Sequence, residues 1–358
     1  MSKELSELVG SIQKAFGVGS IHHMGDSHSM LENQIDRAST GLFELDYALS
    51  GGLVKGSQSE IFGSEGDGKT TLSLHIAGQL QKAFGYTIYM LDAEHKLNLE
   101  YAQKLGVDTN NMLLTQPQYG EQGLDIAQAV LTTGLCKIFI IDSVTALVPL
   151  AEINGDFTDV NIGAHARLMS KMCRVLTPII VQKGIIAIYI NQVREKIGIG
   201  GMSFGSNEVT TGGRALKFYC GTRIKVTSSQ VKKGETVLLT ERDVNLNIVK
   251  QQWGTPFRKT SLRLVLGEGF DKKLDLLEYM LKSGEVAQNS SSYRFVATGE
   301  FLGSGKSNAS ESLWKLVFPP EPEPIVEQIA EEVIEDVGQN ADSQPVGTDV
   351  QSDTGEGS

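Results

Sequence analysis

The sequence predicts an α/β fold with a mostly parallel, doubly wound sheet, followed by a small α/β segment and an acidic tail. Three observations lead to this prediction. Short apolar runs alternate with helical patterns between about residues 39 and 266. A glycine-rich loop directly follows one of these runs and opens a helical pattern. After residue 318, prolines and carboxylates replace the aromatic residues, which is typical of a disordered segment.

The strand-like runs fall into two groups. In the first group the runs are separated by helical patterns, which implies right-handed crossovers and parallel strands, and its members are 59–62, 87–91, 112–115, 137–141 and 184–190. The second group has short β-like runs close together, and we expect it to extend the same sheet as a meander. Its members are 222–227, 244–249 and 261–266.

Four regions are expected along the chain. Residues 1–32 form an N-terminal arm in which apolar residues recur at helical spacing as far as Phe16. Residues 33–266 form the core. Residues 267–318 form a small C-terminal domain that contains an amphipathic helix, and residues 319–358 form a disordered acidic tail.

Charge and cysteine content restrict the cellular context. The net charge is −11, but residues 319–358 hold eleven Asp and Glu and no Lys or Arg, so the rest of the chain is neutral overall. A neutral body is compatible with nucleic-acid binding through local basic patches. The three widely spaced cysteines indicate buried thiols in a reducing compartment, and no apolar run reaches the roughly 18 residues of a membrane span. We therefore expect a cytoplasmic protein without a membrane partner.

Residues 63–71, GSEGDGKTT, match the phosphate-binding pattern G-x-x-x-x-G-K-[ST]. Glycines let backbone N–H groups surround phosphate oxygens, and the following helix N-terminus adds partial positive charge. Lys69 is expected to reach the β- and γ-phosphates, and the Thr70 hydroxyl to bind Mg²⁺. The nucleotide-binding residues predicted in this loop are Gly63, Ser64, Glu65, Gly66, Asp67, Gly68, Lys69, Thr70 and Thr71.

Carboxylates follow two other predicted strands. Asp142 ends the run KIFIID, and at the carboxyl end of a parallel strand it can hold Mg²⁺ indirectly or through water. Glu94 follows the run TIYML and is the candidate general base for a water in line with the γ-phosphate. For its neighbour Asp92 the alternative is a cap on the following helix, and His95 is expected to be structural.

Ten blocks of the chain resemble, in matching order, the bacterial RecA recombinases and their phage relatives. They lie at 13–21, 39–52, 63–71, 91–95, 101–108, 116–122, 140–147, 190–198, 210–219 and 303–309, so the resemblance covers about residues 1–318. It implies a P-loop NTPase core with a helical polymerisation arm. It also implies an ATP- and Mg²⁺-dependent recombinase that forms filaments on single-stranded DNA, searches double-stranded DNA for homology and exchanges strands during DNA repair and the SOS response. Single-strand-binding and mediator proteins are further implied partners.

The resemblance places DNA-binding loops at 154–163 and 192–213. The second segment is glycine-rich and carries basic and apolar side chains, a composition suited to a DNA backbone, but an unliganded surface loop has the same composition. The DNA-binding residues implied by the resemblance are Arg167, Ser170, Arg174, Arg194, Lys196, Ile197, Gly212, Gly213 and Arg214. Without the resemblance, the helical arginines read as solvated surface charges.

The resemblance also implies residues that couple subunits. Gln192 links the γ-phosphate to the second DNA loop, and Lys250 reaches the γ-phosphate of a neighbouring subunit, so the implied catalytic set is Lys69, Glu94, Gln192 and Lys250. Tyr101 stacks on adenine. The other implied interface residues are Lys14, Phe16 and Phe218, and for Phe218 a core aromatic is the alternative.

Three positions depart from the family pattern. Asn98 stands where the family has a base-reading aspartate, Gln252 where it has a second trans-acting lysine, and Glu195 where the loop is usually apolar. A missing cation beside the γ-phosphate predicts slower or differently coupled hydrolysis, and an added carboxylate predicts weaker DNA binding with an altered salt response.

Two other functions use the same ATPase core. One is a hexameric helicase, which needs a further N-terminal domain, whereas this chain reaches its phosphate loop by residue 63. The other is a filament that acts mainly as a regulator by activating the self-cleavage of a repressor.

Overall fold

The structure is a computed structural model that describes residues 3–18, 20–21, 35–156, 163–195, 208–233 and 236–319. Within these residues the helices are α1 (Lys3–Phe16), α2 (Phe43–Ala48), α3 (Lys69–Phe84), α4 (Leu99–Lys104), α5 (Gly120–Thr133), α6 (Leu150–Ile153), α7 (Ala164–Lys183), α8 (Ala215–Tyr219), α9 (Lys272–Ser283) and α10 (Lys306–Val317).

The strands of the first half are β1 (Arg37–Ala38), β2 (Leu53–Val54), β3 (Ser57–Gly63), β4 (Thr87–Asp92), β5 (Met112–Thr115), β6 (Cys136–Asp142) and β7 (Ile186–Glu195). Those of the second half are β8 (Glu208–Thr210), β9 (Thr222–Lys233), β10 (Thr236–Gln251), β11 (Lys259–Val265), β12 (Gly269–Phe270), β13 (Val286–Asn289), β14 (Ser292–Phe295) and β15 (Phe301–Ser304).

The central sheet confirms the predicted α/β class. Its order is β12-β11-β10-β9-β3-β7-β6-β4-β5, with β8 paired to β7. The strands from β9 to β5 are parallel to one another, and β10 to β12 continue the sheet antiparallel, as the expected meander. The phosphate loop therefore leaves the middle of a parallel sheet, where ligand sites of such folds lie.

One strand boundary differs from the sequence prediction in a way that affects the site. The strand was expected at 184–190, with the second DNA loop beginning at Gln192, but β7 continues to Glu195 because residues 193–195 pair antiparallel with β8. Gln192 is therefore inside a strand, and the second predicted DNA loop begins as a β-hairpin. The start also shifts, since Gly184 ends α7 with a left-handed φ of 65°.

Both faces of the sheet are buried, which explains why its strands are almost continuously apolar. On β6, Ile138 and Ile140 belong to the apolar cluster that contains α3, while Phe139 and Ile141 belong to the cluster formed with α5 and α7. Each such side chain contributes about 1.5–3 kcal/mol when it is fully buried. The sheet is thus a rigid platform that fixes where β3, β4 and β6 end.

The segment after β12 has an apolar cluster of its own, formed by α9, α10 and β13 to β15. It is attached to the core through α2, because the Asp275 carboxylate accepts hydrogen bonds from the N–H groups of Phe43 (2.6 Å) and Glu44 (3.1 Å). Burial raises the pKa of Asp275 to about 7. Lys282 of α9 pairs with buried Glu44.

Within the described part of the chain, each helix is too short or too polar to cross a membrane.

Candidate nucleotide-binding site, DNA-facing residues and subunit surface

The phosphate loop connects β3 to α3 and depends on glycine at three points. Gly66 and Gly68 have φ values of 76° and 90°, which L-residues rarely adopt. A Cβ atom on Gly63 would lie 2.2 Å from the Val226 carbonyl oxygen, so neighbouring β9 leaves no room for a side chain. The glycine pattern thus reflects both left-handed turns and close backbone contact.

Asp67 fastens this loop to the sheet. Its carboxylate accepts hydrogen bonds from the Ser64 N–H (2.9 Å), the Ser228 N–H (3.0 Å) and the Ser228 hydroxyl (2.9 Å). Both oxygens are therefore engaged within the chain. Among the predicted nucleotide-binding residues, Asp67 has the geometry of an anchor for the loop.

Lys69, Thr70 and Asp142 meet at the base of the loop. Lys69 Nζ donates to the Ser64 carbonyl (2.5 Å), and burial lowers its pKa. The Thr70 hydroxyl donates to Asp142 Oδ2 (2.7 Å). The pKa of Asp142 is raised to about 6. Burial is the main cause and the nearby carboxylates of Glu94 and Asp92 act in the same direction, whereas the Thr70 hydrogen bond and the Lys69 charge oppose them.

This pair fits a magnesium ion held together with nucleotide phosphates. Mg²⁺ in phosphoryl-transfer sites takes one or two protein oxygens, with waters and phosphate oxygens completing its shell. A hydroxyl and a carboxylate in contact supply those oxygens, and a cation would relieve the crowding of carboxylates around Asp142. Among the described residues, no cluster of three His, Cys, Asp or Glu forms a metal site without a nucleotide.

Glu94 lies beside this pair. Its Oε1 atom accepts hydrogen bonds from the Ser143 hydroxyl (2.6 Å) and from Gln192 Nε2 (3.2 Å). The structure thus brings together three residues: Glu94, the predicted base; Ser143, which follows the predicted metal ligand; and Gln192, the predicted coupling residue. A change at the γ-phosphate that moves Glu94 would therefore alter its hydrogen bond with Gln192.

Asp92 and Asn98 hold the segment that follows β4. Asp92 Oδ2 accepts from the Leu97 N–H (3.1 Å) and from Gln116 Nε2 (2.9 Å). The helix cap considered for Asp92 is instead supplied by Asn98, whose Oδ1 accepts from the Tyr101 N–H (3.0 Å) at the start of α4. The Tyr101 hydroxyl lies 3.2 Å from the Thr71 hydroxyl, which places this ring at the mouth of the phosphate loop.

A buried polar network that the sequence prediction missed lies behind Gln192. Asn191 Nδ2 donates to Glu60 Oε1 (2.8 Å), and the Thr211 hydroxyl donates to Asn191 Oδ1 (2.6 Å). Arg223 pairs with the other oxygen of Glu60. This network joins β3, β7 and β9 to Thr211, which follows β8. It therefore fixes both ends of the second loop. The sequence did contain a sign of this network, because Glu60 lies inside the apolar run SEIF. A charged side chain in a buried strand needs a buried partner.

The predicted DNA-binding residues gather around the N-terminal half of α7. Arg167 and Arg174 are exposed on one face of this helix, and Ser170 is half-buried on the turn between them. Gly212 and Gly213 lie against the same helix, because a Cβ on either would come within 3.0 Å of Met169 or Ala166. Arg194 and Arg214 are exposed at the two ends of the second loop, whereas Lys196 and Ile197 lie outside the described residues.

The predicted interface residues lie on the surface. Phe218 is 72% exposed, which excludes the core-aromatic alternative within this chain. Lys250 Nζ donates to the carbonyl oxygens of Lys217 (2.9 Å) and Phe218 (3.1 Å), and so caps the C-terminal end of α8. Burial lowers the pKa of Lys250. Helix α1 has no buried residue, and Phe16 is 79% exposed beside Lys14.

Comparison with known proteins places these features in one family. The family described as the RecA N-terminal domain matches residues 3–271. A relative named protein RecA from Clostridioides difficile (strain 630) is 42% identical over 313 residues, which is 87% of each chain. The protein RecA of Clostridium botulinum (strain Eklund 17B / Type B) is 41% identical over 87% of this chain and 85% of its own, and that of Sulfurimonas denitrificans is 41% identical over 86% of each. The chain belongs to the RecA family.

Proposed function

We propose that this chain is an ATP-dependent DNA recombinase that assembles on single-stranded DNA, searches double-stranded DNA for homology and exchanges strands. The observation that carries the proposal is the continuous contact from the phosphate loop to the second DNA loop. It runs from Thr70 to Asp142, and from Ser143 through Glu94 to Gln192. A nucleotide bound at one end can therefore order the loop at the other.

ATP with Mg²⁺ is the proposed cofactor. Lys69 would leave the Ser64 carbonyl to bind the β- and γ-phosphates, and Thr70 and Asp142 would hold Mg²⁺, which neutralises developing phosphate charge. Tyr101 would cover the base. Glu94 would accept a proton from the attacking water at its carboxylate, and the Gln192 amide, which donates to Oε1, would orient that carboxylate.

The subunit contacts are also proposed. Exposed Phe218 and the apolar face of α1 would be buried against other copies, and Lys250 would act at a neighbour's γ-phosphate. Sequence recognition would be left to base pairing, because the proposed DNA-binding residues that the structure describes are arginines, glycines and a serine, which suit backbone contact. Single-strand-binding and mediator proteins are proposed partners, and the cytoplasm is the proposed location.

We further propose the division into an arm (1–32), a core (33–266), a C-terminal domain (267–318) and an acidic tail (319–358). The separate apolar cluster of α9, α10 and β13 to β15 supports the third of these regions, 267–318.

The test is ATP hydrolysis measured with and without single-stranded DNA, with electron microscopy of the same samples. We expect DNA to stimulate hydrolysis and helical filaments to form. Closed rings would contradict the recombinase and support a hexameric motor. Filaments without hydrolysis would contradict the proposed catalytic set and support a regulatory scaffold.

A further inference from the structure

Five aromatic rings form a continuous row where α2, α9 and α10 meet. The ring centroids are 4.6 Å apart for Trp314 and Phe318, 6.3 Å for Phe318 and Phe43, 6.1 Å for Phe43 and Tyr279, and 6.0 Å for Tyr279 and Tyr47. Tyr47, at one end of the row, and Phe318, the second ring from the other end, are exposed. Trp314, Phe43 and Tyr279 are half-buried. We call these five residues the aromatic strip. A row of partly exposed rings forms an apolar surface of the kind that binds a partner segment.

The strip ends in positive charge. The Arg258 guanidinium lies 5.1 Å from the centroid of the Tyr47 ring and donates to the Tyr47 carbonyl oxygen (2.6 Å). Beside it a groove of about 510 Å³ has three lysines in its lining, Lys225, Lys259 and Lys282. Lys282 also pairs with Glu44, and the described residues that line this groove include no Asp or Glu. An acidic segment that follows the strip would therefore meet cations at its far end.

The chain itself supplies such a segment. Phe318 is part of the strip, and the residues after it read PPEPEP (319–324), with four prolines and two glutamates in six positions. Proline-rich segments favour the extended polyproline II helix, and aromatic-lined grooves bind that helix. Six residues in this conformation span roughly 19 Å, which matches the three ring-to-ring steps from Phe318 to Tyr47. Residues 325–336 then add five carboxylates and no Lys or Arg.

We propose that residues 319–324 of the chain lie along the aromatic strip as a polyproline II segment. Their prolines pack on the rings, and Glu321 and Glu323 lead the acidic tail towards Arg258 and the lysine groove. The tail thereby has a fixed path over the junction between the core and the C-terminal segment.

The experiment uses the full chain carrying Gln328→Cys, labelled with fluorescein. The native thiols are all buried, so the dye is directed to the new cysteine. Steady-state anisotropy is measured at low protein concentration without DNA. A docked tail gives high anisotropy, whereas nanosecond motion of a released tail lowers it by roughly half.

Two variants test the two ends of the contact. Tyr47→Ala with Arg258→Glu, and separately Pro320, Pro322 and Pro324 all changed to Ala, are each expected to lower the anisotropy. The proline variant retains every charge, so a lowered anisotropy in that variant would show that docking depends on the proline conformation. The matched control is Arg294→Glu, because Arg294 lies 5.0 Å from the Phe301 ring in the small C-terminal sheet and is expected to leave the anisotropy unchanged.

Three results would overturn the proposal. The first is a native anisotropy as low as that of the variants, since the tail would then be undocked. The second is an equal fall in Arg294→Glu. The third is an anisotropy that rises with protein concentration, which would indicate that the tail binds a second copy.

Discussion

The phosphate-binding edge of the sheet and the exposed phenylalanines of α1 and α8 differ in how far one chain completes their contacts. At the edge, Lys69, Thr70 and Glu94 each have a hydrogen-bond partner within the chain. On the surface, Phe16 and Phe218 are largely uncovered. In the proposed assembly, one chain builds its half of the nucleotide site before assembly, and a second copy would supply the other half. This is expected if assembly, rather than folding, switches on hydrolysis.

Removal of the loop lysine should have the largest effect on the pre-assembled region. Lys69→Ala deletes the cation that reaches the phosphates, and we expect ATP hydrolysis to fall by about 10²–10³-fold or more. Direct nucleotide titration should show weakened binding as well. Arg294→Glu, far from the loop in sequence, is the control, and it should retain native hydrolysis and native nucleotide binding. Undiminished hydrolysis in Lys69→Ala would contradict the assignment of the loop.

Glu94→Gln should separate binding from chemistry within the same region. The amide keeps the shape of the side chain but cannot accept the proton of a water, so hydrolysis should fall by about 10²–10⁴-fold. Nucleotide binding, measured with a fluorescent ATP analogue, should stay close to native. Equal loss of both would show that Glu94 is structural.

Phe218→Ala should affect the other region alone. Loss of a ring that is buried only between copies weakens each contact by about 1.5–3 kcal/mol, or roughly 10–100-fold. Light scattering and microscopy should show reduced assembly on DNA, while the Tm of the free chain and its nucleotide binding remain native. Phe301→Ala, another exposed phenylalanine, is the control. A lowered Tm in Phe218→Ala would instead indicate a role in folding.

The last prediction concerns the pH dependence of stability without metal. The folded chain holds the Asp142 proton up to about pH 6, whereas the unfolded chain releases it near 3.9. Folding therefore takes up a proton between these values, and the free energy of unfolding should fall as the pH rises from about 4 to 6, by of the order of 3 kcal/mol. Denaturant unfolding in EDTA should show this slope, and Asp142→Asn should reduce it. An unchanged slope in that variant would contradict the burial of this carboxylate.

The sequence predicted the parallel strands and the phosphate loop well, because both depend on local pattern. The loop in GSEGDGKTT follows directly from glycine spacing, and the strands follow from runs of β-branched residues. The role of Asp67 could not be predicted, since its partner Ser228 lies 161 residues away. The hairpin after Gln192 and the exposure of Phe218 likewise depend on pairing and packing in three dimensions.

The central claim is that Lys250 of one chain acts at the pocket of another. The structure shows Lys250 bound to the carbonyls of its own α8, so a purely structural cap is the competing role. The most direct measurement is to mix Glu94→Gln chains with Lys250→Ala chains and assay DNA-stimulated hydrolysis. Mixed contacts pair an intact pocket with an intact lysine, so the account predicts activity that neither variant has alone. A mixture as inactive as its two components would contradict it.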